Sequence, residues 1–394
     1  MIRILFIMHS ISLYGATRSL IDLASELQRL GHQLFFFIPQ EGNLEERHKL
    51  TDILDKIGVT YTFLAYCPSV HSREKRSFWL RELRKTTNRT CLEEMEEYVN
   101  SWKIDIIHTN SLTHLIGAQL SQRVNKPHVW HIREELKKDF GLIYDNKLQY
   151  KYGLLKTQQI ICISNYIKKA HRKMLLGARV TTIYNGFNID NYILEEAYQK
   201  NPQIFTIMIC GSIQESKGQL DAVKAMEYLI NQREIKNVRL RIVGNCCNEY
   251  DKQIQKYIAE NHLESYIEMI PFQLDLKELR KEADIALMCS KSEGFGRVTV
   301  ESMLSENIVI GANCAGTAEI IKDGINGYLY ESGNIYDLSE KIYYVIAHWN
   351  DQQKIIKNAK EYAKLNFNIE SYAKKICEIY YKILSVPEKE SSDV

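Results

Sequence analysis

DIALMCS at Asp284–Ser290 runs straight into SKSEGFGRVTVESM at Ser290–Met303, and this stretch decides the fold. The apolar run reads as a buried strand, Gly294-Phe295-Gly296 as a tight turn, and Arg297-Val298 as the opening of a helix. Two glycines let backbone N–H groups approach an anion closely, and the positive end of a helix adds to the same place. Glu293 precedes the turn and Glu301 falls about one turn into the helix. Carboxylates beside an anion site suit hydroxyl groups, so the stretch points to a ligand with both a phosphate and a polyol. A nucleotide sugar is such a ligand. The alternative is a capped helix with two solvated acids.

The same grammar extends in both directions. IRILFIM (2–8), QLFFFIP (33–39), IDIIHTN (104–110), HVWHIRE (128–134), QQIICIS (158–164) and VTTIYNG (180–186) read as strands of a front half. Between the first two, ATRSLIDLASELQRLG (16–31) carries apolar residues at 20, 23, 24 and 27, a helical spacing that ends at Gly31. IFTIMICGS (204–212), VRLRIVG (238–244), YIEMIPF (266–272), NIVIGAN (307–313) and NGYLY (326–330) restart the pattern in a back half. Strands alternating with helices imply parallel, doubly wound sheets. The expected organisation is therefore two Rossmann-like α/β domains facing across a cleft, at 1–192 and 193–368. A final helix within 369–394 crosses back to the front domain, ahead of a polar, disordered tail.

Composition excludes several classes. With 45% hydrophobic and 25% charged residues the chain is globular. No apolar run approaches the ~18 residues of a membrane span, and MIRILFIMHS reads as a first strand rather than a secretory signal. Nine scattered cysteines form no CxxC pair, so reduced thiols in the cytoplasm are expected. Adjacent Cys246 and Cys247 lack partners at zinc spacing. The net charge of +2 is unevenly divided. Residues 1–192 hold 27 Lys and Arg against 19 Asp and Glu, and the remainder 24 against 30. A basic front half suits an anionic partner. Residues 67–100 interleave Arg73, Lys75, Arg76, Arg81, Arg84, Lys85 and Arg89 with Phe78, Trp79, Leu80 and Leu83. They read either as a solvated helix face or as an interfacial patch on anionic lipid. A peripheral position on the inner face of the plasma membrane follows from the second reading. No nucleic-acid motif is present.

Six motifs in order resemble the retaining glycosyltransferases of family four, of GT-B fold, and the likeness covers nearly the whole chain. They are HSISLYGATRSL (9–20), VWHIRE (129–134), YNGFNID (184–190), GSIQESKGQ (211–219), the Glu293-x7-Glu301 stretch and AGTAEIIKDGINGYLY (315–330). The resemblance implies a site at the cleft. There Lys217 neutralises the donor diphosphate, with Gly15, Gly211 and the amides of Gly294, Phe295, Gly296, Arg297 and Val298 around it. Glu301 would hold the ribose, Glu293 the transferred sugar, and His131 would face the reacting carbon. Glu319 is a further candidate for the nucleotide. The family's arginine after the glycine matching Gly211 is replaced by Ser212. Arg297 is the leading substitute for that bidentate clamp, and Arg133 and Arg18 are others.

No Asp-x-Asp occurs in the chain, so neither an essential metal nor a cofactor is expected. The expected donor is a UDP- or GDP-sugar, and the acceptor a glycan or lipid-linked molecule of bacterial surface polysaccharide synthesis. Two other functions compete: a GT-B sugar-nucleotide epimerase, and a catalytically weak nucleotide-sugar-binding partner in a polymer-assembly complex.

Overall fold

Continuous apolar runs need both faces covered, and each becomes a strand of a helix-flanked parallel sheet. The structure, a computed structural model, describes residues 1–72, 78–193, 203–245 and 249–385, with the side chain of Phe78 excepted. Cys246, Cys247, the cations Arg73, Lys75 and Arg76, and the polar tail lie outside the described residues.

The chain divides into two compact units. Unit 1 comprises Met1–Phe187 together with the residues from Ile369 onward; unit 2 is Asn188–Asn368. The division falls at 187/188, five residues before the 192/193 boundary expected from the sequence.

Unit 1 contains β1 (Arg3–Ile7), β2 (Gln33–Pro39), β3 (Thr60–Leu64), β4 (Val70–Ser72), β5 (Ile106–Asn110), β6 (His128–Ile132), β7 (Leu142–Tyr144), β8 (Gln159–Cys162) and β9 (Val180–Thr182). Seven of these form a parallel sheet in the order β3-β2-β1-β5-β6-β8-β9, and β4 pairs antiparallel with β7. Unit 2 contains β10 (Phe205–Cys210), β11 (Val238–Val243), β12 (Ile267–Ile270), β13 (Ile285–Met288), β14 (Ile308–Ala312) and β15 (Tyr328–Tyr330). Its parallel sheet has the order β12-β11-β10-β13-β14-β15.

The helix Gly15–Arg29 buries Leu20, Leu23, Ala24 and Leu27, the four positions its spacing marked. The helix Ile369–Leu384 buries Ile369, Tyr372, Ala373, Ile376, Cys377 and Tyr380 in the same core as Ile4, Phe6 and Leu20. Residues spaced three and four apart fall on one face, which is why this last helix covers the sheet of unit 1. Its Tyr380 hydroxyl lies 2.6 Å from Nδ1 of His108 on β5.

Unit 1 holds several histidines neutral. Burial pushes His114 and His128 down to about 3, and burial with the nearby Arg133 guanidinium pushes His9 to about 4. Each folded-state value lies below the unfolded one, so the unfolded chain binds more protons below pH 6.5. Stability is therefore full above pH 6.5 and falls as the pH drops toward 4. The ceiling is roughly 1.4 kcal/mol per pH unit for each histidine. Urea midpoints measured at pH 7.5, 6 and 5 should fall in that order.

Candidate active site

Each large sheet reverses its strand order once. Connections leave that point in opposite directions, and ligands bind in the crevice beyond the carboxyl ends. In unit 2 the reversal lies between β10 and β13. The chain leaves β10 through Gly211, whose φ of +144° suits only glycine. It then forms a 3-10 turn, Glu215–Lys217, closed by Gly218 at φ +71°. A Cβ on Gly218 would meet the Cys289 carbonyl oxygen at 2.4 Å, and the Lys291 N–H donates to the Ser216 carbonyl at 2.9 Å. The turn after β10 is thus laid on the end of β13. Lys217 and Glu293, 76 positions apart, meet there as an ion pair of 2.5 Å (Nζ to Oε2), each side chain about one-quarter exposed.

The acid-glycine loop is held by the next motif. The Gly316 N–H donates to the Glu293 carbonyl at 2.8 Å. A Cβ on Gly316 would lie 2.7 Å from the carbonyl oxygens of both Glu293 and Phe295. Gly316 also opens the short helix Thr317–Ile320, which carries half-buried Glu319. Gly296, at φ +103°, caps the helix Arg297–Leu304. The Phe295 ring is buried edge-on against Phe367 at 5.4 Å, so only its backbone can serve a ligand. Gly294 is buried, Val298 half-buried and Ser212 exposed.

Glu301 and Arg297, the ribose and phosphate candidates of the sequence, lie together. Both are buried, with Arg297 Nε 3.4 Å from Glu301 Oε1. Arg280, also buried, makes an ion pair with the other carboxylate oxygen. The Tyr192 hydroxyl lies 3.4 Å from both Glu301 Oε1 and Arg297 Nη2. A carboxylate this deep requires paired cations to remain charged. Sequence reading missed Arg280 and Tyr192. Arg280 sits in the helix Lys277–Glu282, where nothing distinguishes it from a solvated arginine.

Unit 1 reverses its order between β1 and β5, and a polar cluster collects there. Arg133, just past β6, donates to Oδ1 of Asn110 (2.5 Å) and Oδ1 of Asn185 (2.8 Å). Glu134 accepts from the Ser111 hydroxyl (2.5 Å) and the Leu112 N–H (2.6 Å), while burial raises its pKa. Ser111 has φ +143°, a strained value for a residue with a side chain, and Trp130 Nε1 holds its carbonyl at 2.7 Å. His131 corrects the sequence reading. Lying within β6, it points into the face covered by Tyr372 of the last helix, with His108 beside it, and it is fully buried. Burial and Arg133 hold its pKa well below the usual range. The polar groups at the strand ends are Arg133, Asn110 and Glu134, a set that sequence spacing does not reveal. Gly15 is exposed at the start of its helix, and half-buried Arg18 lies in the first turn.

Comparison with known proteins agrees with this geometry. The family description Glycosyltransferase Family 4 matches residues 14–191, and Glycosyl transferases group 1 matches residues 193–362. A relative in Methanocaldococcus jannaschii, named as the uncharacterized glycosyltransferase MJ1178, is 28% identical over 296 residues, covering 72% of this chain and 77% of its own. The UDP-Gal:alpha-D-GlcNAc-diphosphoundecaprenol alpha-1,3-galactosyltransferase of Escherichia coli is 23% identical over 392 residues, 92% of this chain and 95% of its own. Among solved structures, Anabaena Alr3699/HepE in complex with UDP-glucose superposes with a TM-score of 0.77 at 21% identity, covering 97% of this chain and 100% of that one. The two units thus form a GT-B glycosyltransferase. The chain belongs to glycosyltransferase family four.

The glycine geometry supplies a test. Gly218→Ala places a methyl against the Cys289 carbonyl, whereas Gly324, at φ +68°, has open space around its Cβ position. Gly324→Ala should cost about 1 kcal/mol from backbone conformation alone, and Gly218→Ala about 2–3 kcal/mol. Melting temperatures of the two variants would reveal the difference.

Proposed function

We infer that the protein is a retaining hexosyltransferase that moves a sugar from a UDP- or GDP-sugar to a glycan or lipid-linked acceptor in bacterial surface polysaccharide synthesis. The observation that carries this reading is the Lys217–Glu293 pair at the reversal point of unit 2, beside a glycine-capped helix N-terminus. A cation, a helix end and a carboxylate in one place suit a diphosphate joined to a hydroxyl-rich ring. Support for the substrate classes comes from the Escherichia coli relative, named for UDP-Gal and a diphosphoundecaprenol acceptor, and from the structural neighbour with UDP-glucose.

In this mechanism the bond between the anomeric carbon and the diphosphate breaks with oxocarbenium character. Lys217 exchanges its resting partner Glu293 for the leaving diphosphate, and the helix end at Gly296 shares that charge. Glu293, released, accepts hydrogen bonds from the sugar hydroxyls. Retention follows if the acceptor attacks from the face of the departing diphosphate, whose oxygen takes the acceptor's proton. The fixed cations assume the role of a metal, so we propose that none is essential. Glu301 contributes ribose recognition if its carboxylate opens toward the nucleotide while Arg280 and Arg297 hold it in place. Exposed Ser212, in place of an arginine, favours one other reading: a partner that binds the donor and turns it over poorly.

A thermal-shift series with UDP-, GDP-, dTDP- and ADP-sugars should single out one donor class by the largest rise in melting temperature. With that donor, Lys217→Ala should lower transfer by at least about a hundredfold, some 3 kcal/mol, with the fold intact. Unimpaired transfer would remove the assignment. Arg297→Ala should raise the donor KM, and treatment with a chelator should leave the rate unchanged.

A further inference from the structure

The helix Lys147–Lys156 buries Tyr150, Gly153 and Leu154 against unit 1. Its opposite side is not the polar face of an ordinary surface helix. Leu148 is 80% exposed, Tyr152 55% and Leu155 45%. Spaced four and three apart, they form one ridge on the solvent side. Leu176, 74% exposed, belongs to the same surface, because the adjacent Gly177 lies so close to Leu155 that a Cβ there would meet its Cδ2 at 3.1 Å.

The segment that carries this ridge has charges of one sign. Residues 146–189 contain no Asp or Glu, although the chain holds 49 of them. They contain Lys147, Lys151, Lys156, Lys168, Lys169, Arg172, Lys173 and Arg179, and all eight are exposed. A cavity of about 570 Å³ opens between residues 135–147 and 170–174, lined by four cations, Lys137, Lys147, Arg172 and Lys173, against one acid, Glu135, with Leu142 and Met174 among its apolar residues. A second, of about 410 Å³, lies between the helix Ile116–Arg123 and the apolar ridge, against Leu148 and Tyr152.

The segment 67–100, the sequence-based candidate for such a surface, is less free. Within its helix Phe78–Ser101, Arg81 donates to the Asp145 carbonyl, Arg84 donates to the Val70 carbonyl, and Lys85 pairs with Glu82. The contact of Arg81 with Asp145, just before the cap residue Asn146, makes the start of that helix a neighbour of the ridge, with exposed Trp79, Leu80 and Leu83.

We propose that this face of unit 1, built by the helix Lys147–Lys156 and residues 165–179, docks on an anionic bilayer. Leu148, Tyr152, Leu155 and Leu176 enter the headgroup boundary, and the surrounding cations hold acidic lipid headgroups. Charge complementarity selects the occupant: exposed apolar side chains on an acid-free segment with eight exposed cations match an interface that is oily below and anionic above. The proposal goes beyond the transfer reading and is independent of it, because its test requires no sugar.

The full chain is sedimented with vesicles of phosphatidylcholine alone or with 30% phosphatidylglycerol, at low and high salt. Binding is expected only to the anionic vesicles, weakening as salt rises. Leu148→Gln with Leu176→Gln, and separately Lys151→Glu with Lys156→Glu, should each lower the vesicle partition at least tenfold with unchanged melting temperature. Lys252→Glu with Lys256→Glu, on a unit 2 helix, should bind like the parent chain. Equal binding to both vesicle types overturns the proposal, as does undiminished binding by the ridge variants. So does an absence of vesicle binding together with a concentration-dependent dimer that Leu148→Gln dissolves, since the ridge would then cover a second copy of the chain.

Discussion

The reversal of strand order between β10 and β13 is the constraint on which the unit 2 site rests. Two adjacent parallel strands whose connections depart in opposite directions cannot fill the space beyond their ends. Whatever follows them must line it. Gly211 and Gly218 supply backbone conformations closed to other residues, and so bring Lys217 over the end of β13. Gly316 then clamps the acid-glycine loop from the other side. The resulting Lys217–Glu293 pair is reached by water, which screens it, so its energy at rest is modest and a ligand can take over either partner.

A different physical regime governs Glu301. Its carboxylate is buried among Arg280, Arg297 and Tyr192, where an unpaired charge would be intolerable. Breaking such a pair by removing one partner costs more than the pair itself contributes, which ties these residues to one another. The two carboxylates of the Glu293-x7-Glu301 stretch thus have unlike environments. One is accessible beside a lysine; the other is enclosed by two arginines.

Unit 1 repeats the reversal with other chemistry. Arg133, Asn110, Asn185 and Glu134 interlock at its strand ends, and Ser111 is held in a strained conformation among them. Its outer side departs from the usual polarity of a surface, with exposed leucines on and beside the helix Lys147–Lys156 and cations without acids through residues 146–189.

The apolar runs, the glycines and the order of motifs were enough to indicate two parallel α/β units and the acid-glycine loop, because local periodicity and backbone freedom are written residue by residue. The strands Thr60–Leu64, Val70–Ser72 and Leu142–Tyr144 escaped notice. They are short, partly exposed, and defined by pairing with β2 or with each other. Side-chain partnerships were hidden for a related reason. Whether Arg280 meets solvent or Glu301, and whether His131 faces a ligand or Tyr372, depends on which elements pack together across long sequence separations. Sequence by itself determined the kind of elements and the residue types available for chemistry. Only the tertiary structure decided which charges are buried as pairs and which remain at a surface, since the free energy of a charge depends on its surroundings and not on its position in the chain.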